Sequence, residues 1–325
     1  MRKTMILLAG ALALTTATAS AQRVLSMATL APAGSTWMRV FDSANRELWR
    51  RSNNALSIRW YAGGVQGDEG EVIRKMRSGR LDGAAVTAVG LGQIHAPILA
   101  FQLPALFTSA DGLVRARTAL TGELNTAFET AGFTLLGFGG TGNPRLFSTR
   151  ALRTPNDLRS AHPWQWRDDV IGPALWTEAG ATGVPLQVPE VLSALQTNRI
   201  DTLIGSPLAC VSLQWSNAMR FMSDRADTAS LGGLILSRAA FSGLPADQQT
   251  LVREVFAQYN VVLARDVSRD DNAAVTRMQT AGVQVVALND AERAQWTALF
   301  GRVRTRLAGT VGDAAWIARV TAAGH

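Results

Sequence analysis

Three groups of residues have types and spacings suited to chemistry. Arg145 follows the glycine-rich run Gly137-Phe138-Gly139-Gly140-Thr141-Gly142. Its planar guanidinium could clamp a carboxylate through two parallel hydrogen bonds, or make an ordinary surface ion pair. Trp164-Gln165-Trp166 sets two indoles two residues apart. On a strand they share a face, where each is a flat apolar platform with one donor or a piece of core. Asp68 and Glu69 are adjacent carboxyls that could act as acid and base. The patterns of known chemistries are missing around them. Gly137 to Gly142 has the dinucleotide spacing, but Asn143-Pro144 stands where a helix would have to begin. There is no Walker A lysine, no H-E-x-x-H, no C-x-x-C and no G-x-S-x-G, and His95, His162 and His325 are too scattered for zinc. Binding is favoured over catalysis, with no cofactor and no metal expected.

These residues must be positioned by something, and the chain repeats one unit that can do it. Glu71-Val72-Ile73-Arg74-Lys75-Met76-Arg77-Ser78-Gly79-Arg80-Leu81-Asp82 is echoed 119 residues later by Glu190-Val191-Leu192-Ser193-Ala194-Leu195-Gln196-Thr197-Asn198-Arg199-Ile200-Asp201. Both copies place apolar residues at helical spacing and end at a residue suited to a left-handed cap, Gly79 or Asn198. A short apolar run follows each, Leu81 to Val86 and Ile200 to Ile204, and leads into a polar or Gly/Pro loop, Thr87 to Gly90 and Gly205-Ser206-Pro207. The unit reads as helix, turn, buried strand, exposed loop. In open α/β sheets ligands bind beyond the carboxyl ends of the strands, so two such units predict two α/β lobes facing one cleft.

Length and composition agree. A chain of 325 residues, 47% hydrophobic and 18% charged, is globular and long enough for two domains. Arg2 and Lys3, an apolar run from Met5 to Leu14, and Ala19-Ser20-Ala21 have the order of a secretory leader; cleavage is expected after Ala21, with a periplasmic product. Nothing later is long and apolar enough to span a membrane. The single cysteine, Cys210, lies among apolar neighbours and reads as a buried inert thiol. The net charge is +7, or +5 without Arg2 and Lys3. Lys3 and Lys75 are the only lysines and the arginines are interspersed with acids, which argues against nucleic acid.

Along the chain, Val24 to Thr29 and Leu56 to Tyr61 read as strands flanking a helix capped by Ser35, with Trp37, Val40, Phe41, Ala44 and Leu48 on one face. Gln93 to Phe107, broken by Pro97 and Pro104, reads as a surface crossover. Ser109 caps a helix from Ala110 to Leu120, and Glu123 to Ala131 forms another. Phe133 to Gly139 and Leu231 to Phe241 cross between lobes. Thr154-Pro155-Asn156-Asp157 starts a helix. Pro245 with Asp247 starts a long one reaching about Thr280, and Asn289 with Glu292 boxes the last. The predicted domains are a leader 1–21, one lobe of 22–140 with 231–265, and a second of 141–230 with 266–325.

Several of these stretches carry a family resemblance. Ala31 to Trp37, Tyr61-Ala62-Gly63-Gly64-Val65-Gln66-Gly67-Asp68-Glu69, both copies of the repeat, and Arg153-Thr154-Pro155-Asn156-Asp157-Leu158 resemble the extracytoplasmic solute receptors of TRAP transporters, the DctP type. The resemblance implies a two-lobed periplasmic binding protein that captures a small organic solute, closes on it and delivers it to a membrane permease, with no chemistry on the solute. A receptor that serves a periplasmic helper protein instead of uptake is a competing expectation. The family's acid-binding arginine falls here at Trp164, within Asp157-Leu158-Arg159-Ser160-Ala161-His162-Pro163-Trp164, and Arg145 occupies the place of an auxiliary arginine. Losing a charged fork and gaining an indole makes a less polar, non-carboxylate ligand a competing expectation to an organic acid. The expected ligand set is Ser35, Trp37, Gln66, Asp68, Glu69, Thr87, Gly90, Arg145, Trp164, Trp166, Gln187, Ser206 and Pro207. An exported enzyme using Asp68 and Glu69, or a receptor serving a sensor, are the competing readings.

Overall fold

The computed structural model describes residues 22–107, 110–224 and 230–325; the expected leader and the Ser109 cap lie outside them. The chain opens with β1 (Arg23–Thr29), α1 (Thr36–Arg51), β2 (Leu56–Tyr61), α2 (Glu69–Arg77), β3 (Gly83–Thr87) and the short α3 (Ala88–Gly92). A 3-10 turn over Ala96–Gln102 leads to α4 (Ala110–Thr130) and β4 (Phe133–Gly139). The chain then crosses into β5 (Arg145–Ser148), β6 (Trp164–Trp166), α5 (Ile171–Ala179), β7 (Val184–Leu186), α6 (Val188–Gln196), β8 (Thr202–Gly205), α7 (Pro207–Ser212) and β9 (Phe221–Ser223). It returns through β10 (Gly232–Ser237) and α8 (Arg238–Ser242), and finishes with α9 (Ala246–Thr280), β11 (Gln284–Val286), α10 (Asp290–Leu307) and α11 (Ala314–Gly324).

Two sheets result. The first has order β2-β1-β3-β10-β4, the second β11-β9-β5-β8, and the pair β6-β7 is joined to the second through a bridge between Pro163 and Thr202. β1, β2 and β3 are parallel, while β10 runs antiparallel between β3 and β4. This is the two-lobed α/β architecture, with mixed sheets and long C-terminal helices. Each copy of the repeat is a helix–turn–strand: α2 into β3 and α6 into β8. The turns reach the left-handed region at Gly79 (φ 71°) and Asn198 (φ 55°), because a short polar side chain tolerates that backbone almost as glycine does.

Burial explains where the elements differ from the sequence expectation. The run after Gln93 is not a surface crossover: Ile98, Leu99, Ala100, Phe101 and Leu103 are buried, and the prolines bound a 3-10 turn packed against α4 and α11. α4 is one helix through Thr121 and Gly122, not two. The amphipathic face of α1 packs on α9, burying Trp37, Val40, Phe41, Ala44 and Leu48. α11 packs on α4, beside the first sheet. α9, at 35 residues, is long enough to run alongside α1 from Glu254 to Asp270 and to touch β4 and α7 as well.

Where the chain crosses between sheets, Asp271 of α9 holds the crossing in place. It is 2% exposed, and its two carboxylate oxygens accept hydrogen bonds from Leu208 N and Asn143 N, both at 2.9 Å. Gly142 must be glycine beside it: its φ is 94°, and a Cβ there would meet Asp271 Oδ1 at 2.6 Å. Asp271→Ala would leave the buried Leu208 N–H and the part-buried Asn143 N–H without their acceptors. Urea unfolding should show a loss of about 2–4 kcal/mol, since each orphaned donor costs on the order of 1–3 kcal/mol.

Candidate functional site

The loops beyond the carboxyl ends of β1, β3 and β8 converge with β6, α5 and the crossing after β4 around one cavity of about 280 Å3. Its wall is aromatic: Trp37, Phe41, Trp164, Trp166, Trp176 and Trp215 all line it. Strand geometry puts Trp164 and Trp166 on one face, stacked with ring centroids 5.6 Å apart, and Trp215 meets Trp164 edge-on at 5.2 Å. Four of the five indole N–H groups donate to the protein itself. Trp37 Nε1 donates to Gly140 O, Trp164 Nε1 to Leu186 O, Trp176 Nε1 to Trp164 O and Trp166 Nε1 to Asp68 Oδ2. Those indoles therefore offer the cavity carbon surface more than donors.

Polar groups on the wall are few. Glu69 is the first residue of α2 and is buried; its oxygens accept from Thr87 N and Gly90 N, both at 2.7 Å, and from Thr87 Oγ1 at 2.8 Å. Gly90 is what lets that backbone approach, because a Cβ there would meet Glu69 Oε2 at 2.9 Å. Burial pushes the Glu69 carboxyl up to about 7, against the pull of the three donors. Asp169 caps α5, accepting from Ile171 N and Gly172 N, and burial raises it as well. No lysine, arginine or histidine is among the described residues that line the cavity.

Asp68 does something different. It is 1% exposed, does not line the cavity, and caps α2 by accepting from Glu69 N at 2.7 Å. Its other oxygen accepts from Trp166 Nε1 and from Val188 N, both at 2.9 Å. α2 belongs to the first sheet's layer, whereas Trp166 and the first turn of α6 belong to the second. One carboxylate thus clasps the two sides of the cleft. Val188 N, at a helix start, has no acceptor within its own helix, and a negative charge is favoured there. Gln93 Nε2 adds a bond to Asp168 O at 3.2 Å across the same gap.

Of the residues expected from sequence, Trp37, Glu69, Thr87, Trp164, Trp166 and Ser206 line the cavity. Ser35 caps α1 and Pro207 is the first residue of α7. Gln66 accepts from Lys75 Nζ through both its carbonyl and its side-chain oxygen. Gln187 caps α6 with Glu190 in a capping box. Arg145 faces a separate hollow of about 50 Å3 lined by Leu152, Val286, Trp296 and Phe300 among others, and donates to Ser223 O at 2.7 Å. Sequence reading passed over Asp169, Trp176 and Trp215. Asp169, one residue before the cap position Val170, is an aspartate just ahead of a helix start, and that local signal could have found it. The two indoles carried no local signal. Cys210 is buried, and burial pushes its thiol up.

Two outcomes follow. Glu69 holds its proton in the folded chain up to about pH 7 but releases it near its ordinary 4.5 when unfolded. Its contribution is present below 4.5 and lost as pH rises through about 7. The loss is about 3 kcal/mol at most, at 1.36 kcal/mol per unit, so Glu69→Gln should flatten the decline of urea stability across that range. Asp68→Ala should weaken solute binding roughly ten- to hundredfold, the equivalent of one or two bonds to a charged acceptor, as read by titration calorimetry.

Comparison with known proteins gives a consistent placement. A solute-binding protein of Chromohalobacter salexigens is 26% identical over 168 residues, spanning about half of either chain (50% and 49%). One of Verminephrobacter eiseniae is 22% identical over 305 residues, 92% of this chain and 89% of that one. The crystal structure of a TRAP periplasmic solute-binding protein from Shewanella oneidensis, with bound succinate, superposes with a TM-score of 0.87 at 18% identity, covering 94% of this chain and 100% of that one; at that identity the likeness speaks for the fold. The profile described as bacterial extracellular solute-binding protein, family 7 (DctP) matches residues 27–308, and the chain belongs to that family.

Proposed function

We propose that this chain is the extracytoplasmic receptor of a TRAP-type secondary transporter, taking up a small organic solute in the aromatic cavity and presenting it to membrane permease subunits. The observation that carries this reading is the cavity itself: it lies between the two sheets, at the strand ends where α/β proteins hold ligands, and is bridged by the Asp68 clasp. No helix among the described residues is long and apolar enough to cross a membrane, so the permease supplies the passage. The first lobe comprises 22–140 with 231–265 and the second 141–230 with 266–325, with α11 reaching back to α4. Delivery to the periplasm follows cleavage after Ala21.

In this reading Thr87, Ser206, Glu69 and the indoles of Trp37, Trp164 and Trp166 touch the solute. Ser35, Gln66, Gly90, Gln187 and Pro207 shape the helix starts around it. Asp68 stabilises the closed arrangement, so a solute that fills the cavity and favours closure shifts the population toward the form a permease would recognise. Arg145 braces the crossing strand beside Ser223. The Thr87 hydroxyl is spent on Glu69 Oε2, and the uptake role needs no chemistry on the solute.

Ala209, half-buried on α7 and lining the cavity, offers the test. Ala209→Phe should fill the space while leaving the fold intact. Wild-type protein incubated with a periplasmic metabolite extract should gain several degrees in Tm. A solute at about a hundred times its Kd stabilises by roughly 2.7 kcal/mol, at about 2–4 °C per kcal/mol for a chain of this size. Ala209→Phe should show no gain; an equal gain in both would place the solute elsewhere.

A further inference from the structure

Resting on the receptor reading, we propose that Gly70 is a positioning residue that sets how far the cleft closes. The side chain it lacks leaves the room that Asp168 of the opposite side occupies, so Gly70 governs solute affinity without lining the cavity. Gly70 is the second residue of α2 and is buried. Its backbone is ordinary helix, outside the left-handed region. α2 therefore has no need of glycine there, and glycine in a helix is less favourable than alanine. The reason for the missing side chain lies across the cleft. A Cβ at this position would meet Asp168 Oδ2 at 2.4 Å and Asp168 Cγ at 3.1 Å. Asp168 lies in the turn between β6 and α5, two residues past Trp166.

This contact falls beside the clasp. Asp68, two residues ahead of Gly70, accepts from Trp166 Nε1 and Val188 N across the cleft, and Gln93 Nε2 holds the Asp168 backbone through its carbonyl oxygen. Burial raises the Asp68 carboxyl, and the nearby Asp168 charge adds to the rise, so the seam is already crowded. Gly64 makes a second close approach: its Cβ would meet Pro189 Cγ, in the first turn of α6, at 3.4 Å. With a φ of 74°, Gly64 is also demanded by its own turn. Gly70 has no such demand, and the seam alone accounts for it. A side chain there would wedge the two sides apart, lengthen the cross-cleft bonds of Asp68 and shift the population toward the open arrangement.

The experiment compares wild type, Gly70→Ala and Gly70→Leu by two readouts: urea unfolding of the free protein, and the Tm gain with periplasmic metabolite extract. Alanine and leucine both suit a helix, so the urea midpoint of the free protein should hold or rise. The Tm gain should fall in order of side-chain size. Overpacking at one close contact weakens closure roughly tenfold or more in Gly70→Leu. A tenfold loss of affinity removes about half of the stabilisation given by a solute at a hundred times its Kd. Adding Asp168→Ala to Gly70→Ala should restore the wild-type gain, and Asp168→Ala alone should keep it. If leucine disturbs α2 itself, the Gly70→Ala pair decides. An undiminished gain in Gly70→Ala and Gly70→Leu would overturn the inference and leave the receptor reading standing. So would a loss of gain in Gly70→Ala that comes with a lower urea midpoint and is not rescued by Asp168→Ala, because the role would then be structural only. No gain in wild type would remove both claims.

Discussion

One carboxylate sets the geometry on which the cleft depends. Asp68 accepts from the backbone at the start of its own helix, from the start of a helix in the opposite lobe and from an indole of the cavity wall. A buried carboxylate is costly unless donors surround it, and these three donors come together only when the two sides of the cleft meet. The adjoining Glu69 repeats the logic within one lobe, tying α2 to the loop after β3 through Thr87 and Gly90. Two consecutive acids in sequence therefore divide the labour, one holding the sides of the cleft together and one forming its wall.

The same arrangement decides the character of the cavity. The Asp68 clasp draws the Trp166 N–H away from the solute space, and Trp164 and Trp176 are bonded to backbone carbonyls in series. What faces the cavity is carbon and π-surface, punctuated by two acids. The indole of Trp164 stacks on Trp166 and meets Trp215 edge-on. One scaffold can carry many recognition chemistries, so the character of this wall is a property of its own side chains and not of the fold.

Much of the fold could be read from the chain because the signals are local. The helix–turn–strand repeat, the left-handed caps at Gly79 and Asn198, the box at Asn289 and Glu292, and the helix face of Trp37 to Leu48 each lie within a few residues of one another. The site was legible only in part, because it is assembled at long range. Asp68 finds Trp166 98 residues away and Val188 120 away. Trp176 and Trp215 reach the cavity through packing that no local pattern encodes. Arg145 was singled out only as following the glycine-rich run; its place on β5, and the bond to Ser223 O that turns it toward the other hollow, depend on β9, far along the chain. The Gln93 segment misread as surface shows the same limit: its prolines signalled a break, and only the packing of α4 and α11 shows that the break is buried.

The most direct measurement is an electron–electron resonance distance between spin labels on the exposed residues Ser78 and Arg199, at the far ends of the two repeat helices. In wild-type protein incubated with solute extract, a single short, narrow distribution is expected, and Asp68→Ala should lengthen and broaden it. Identical distributions in the two proteins, with and without extract, would contradict a cleft held closed by that carboxylate.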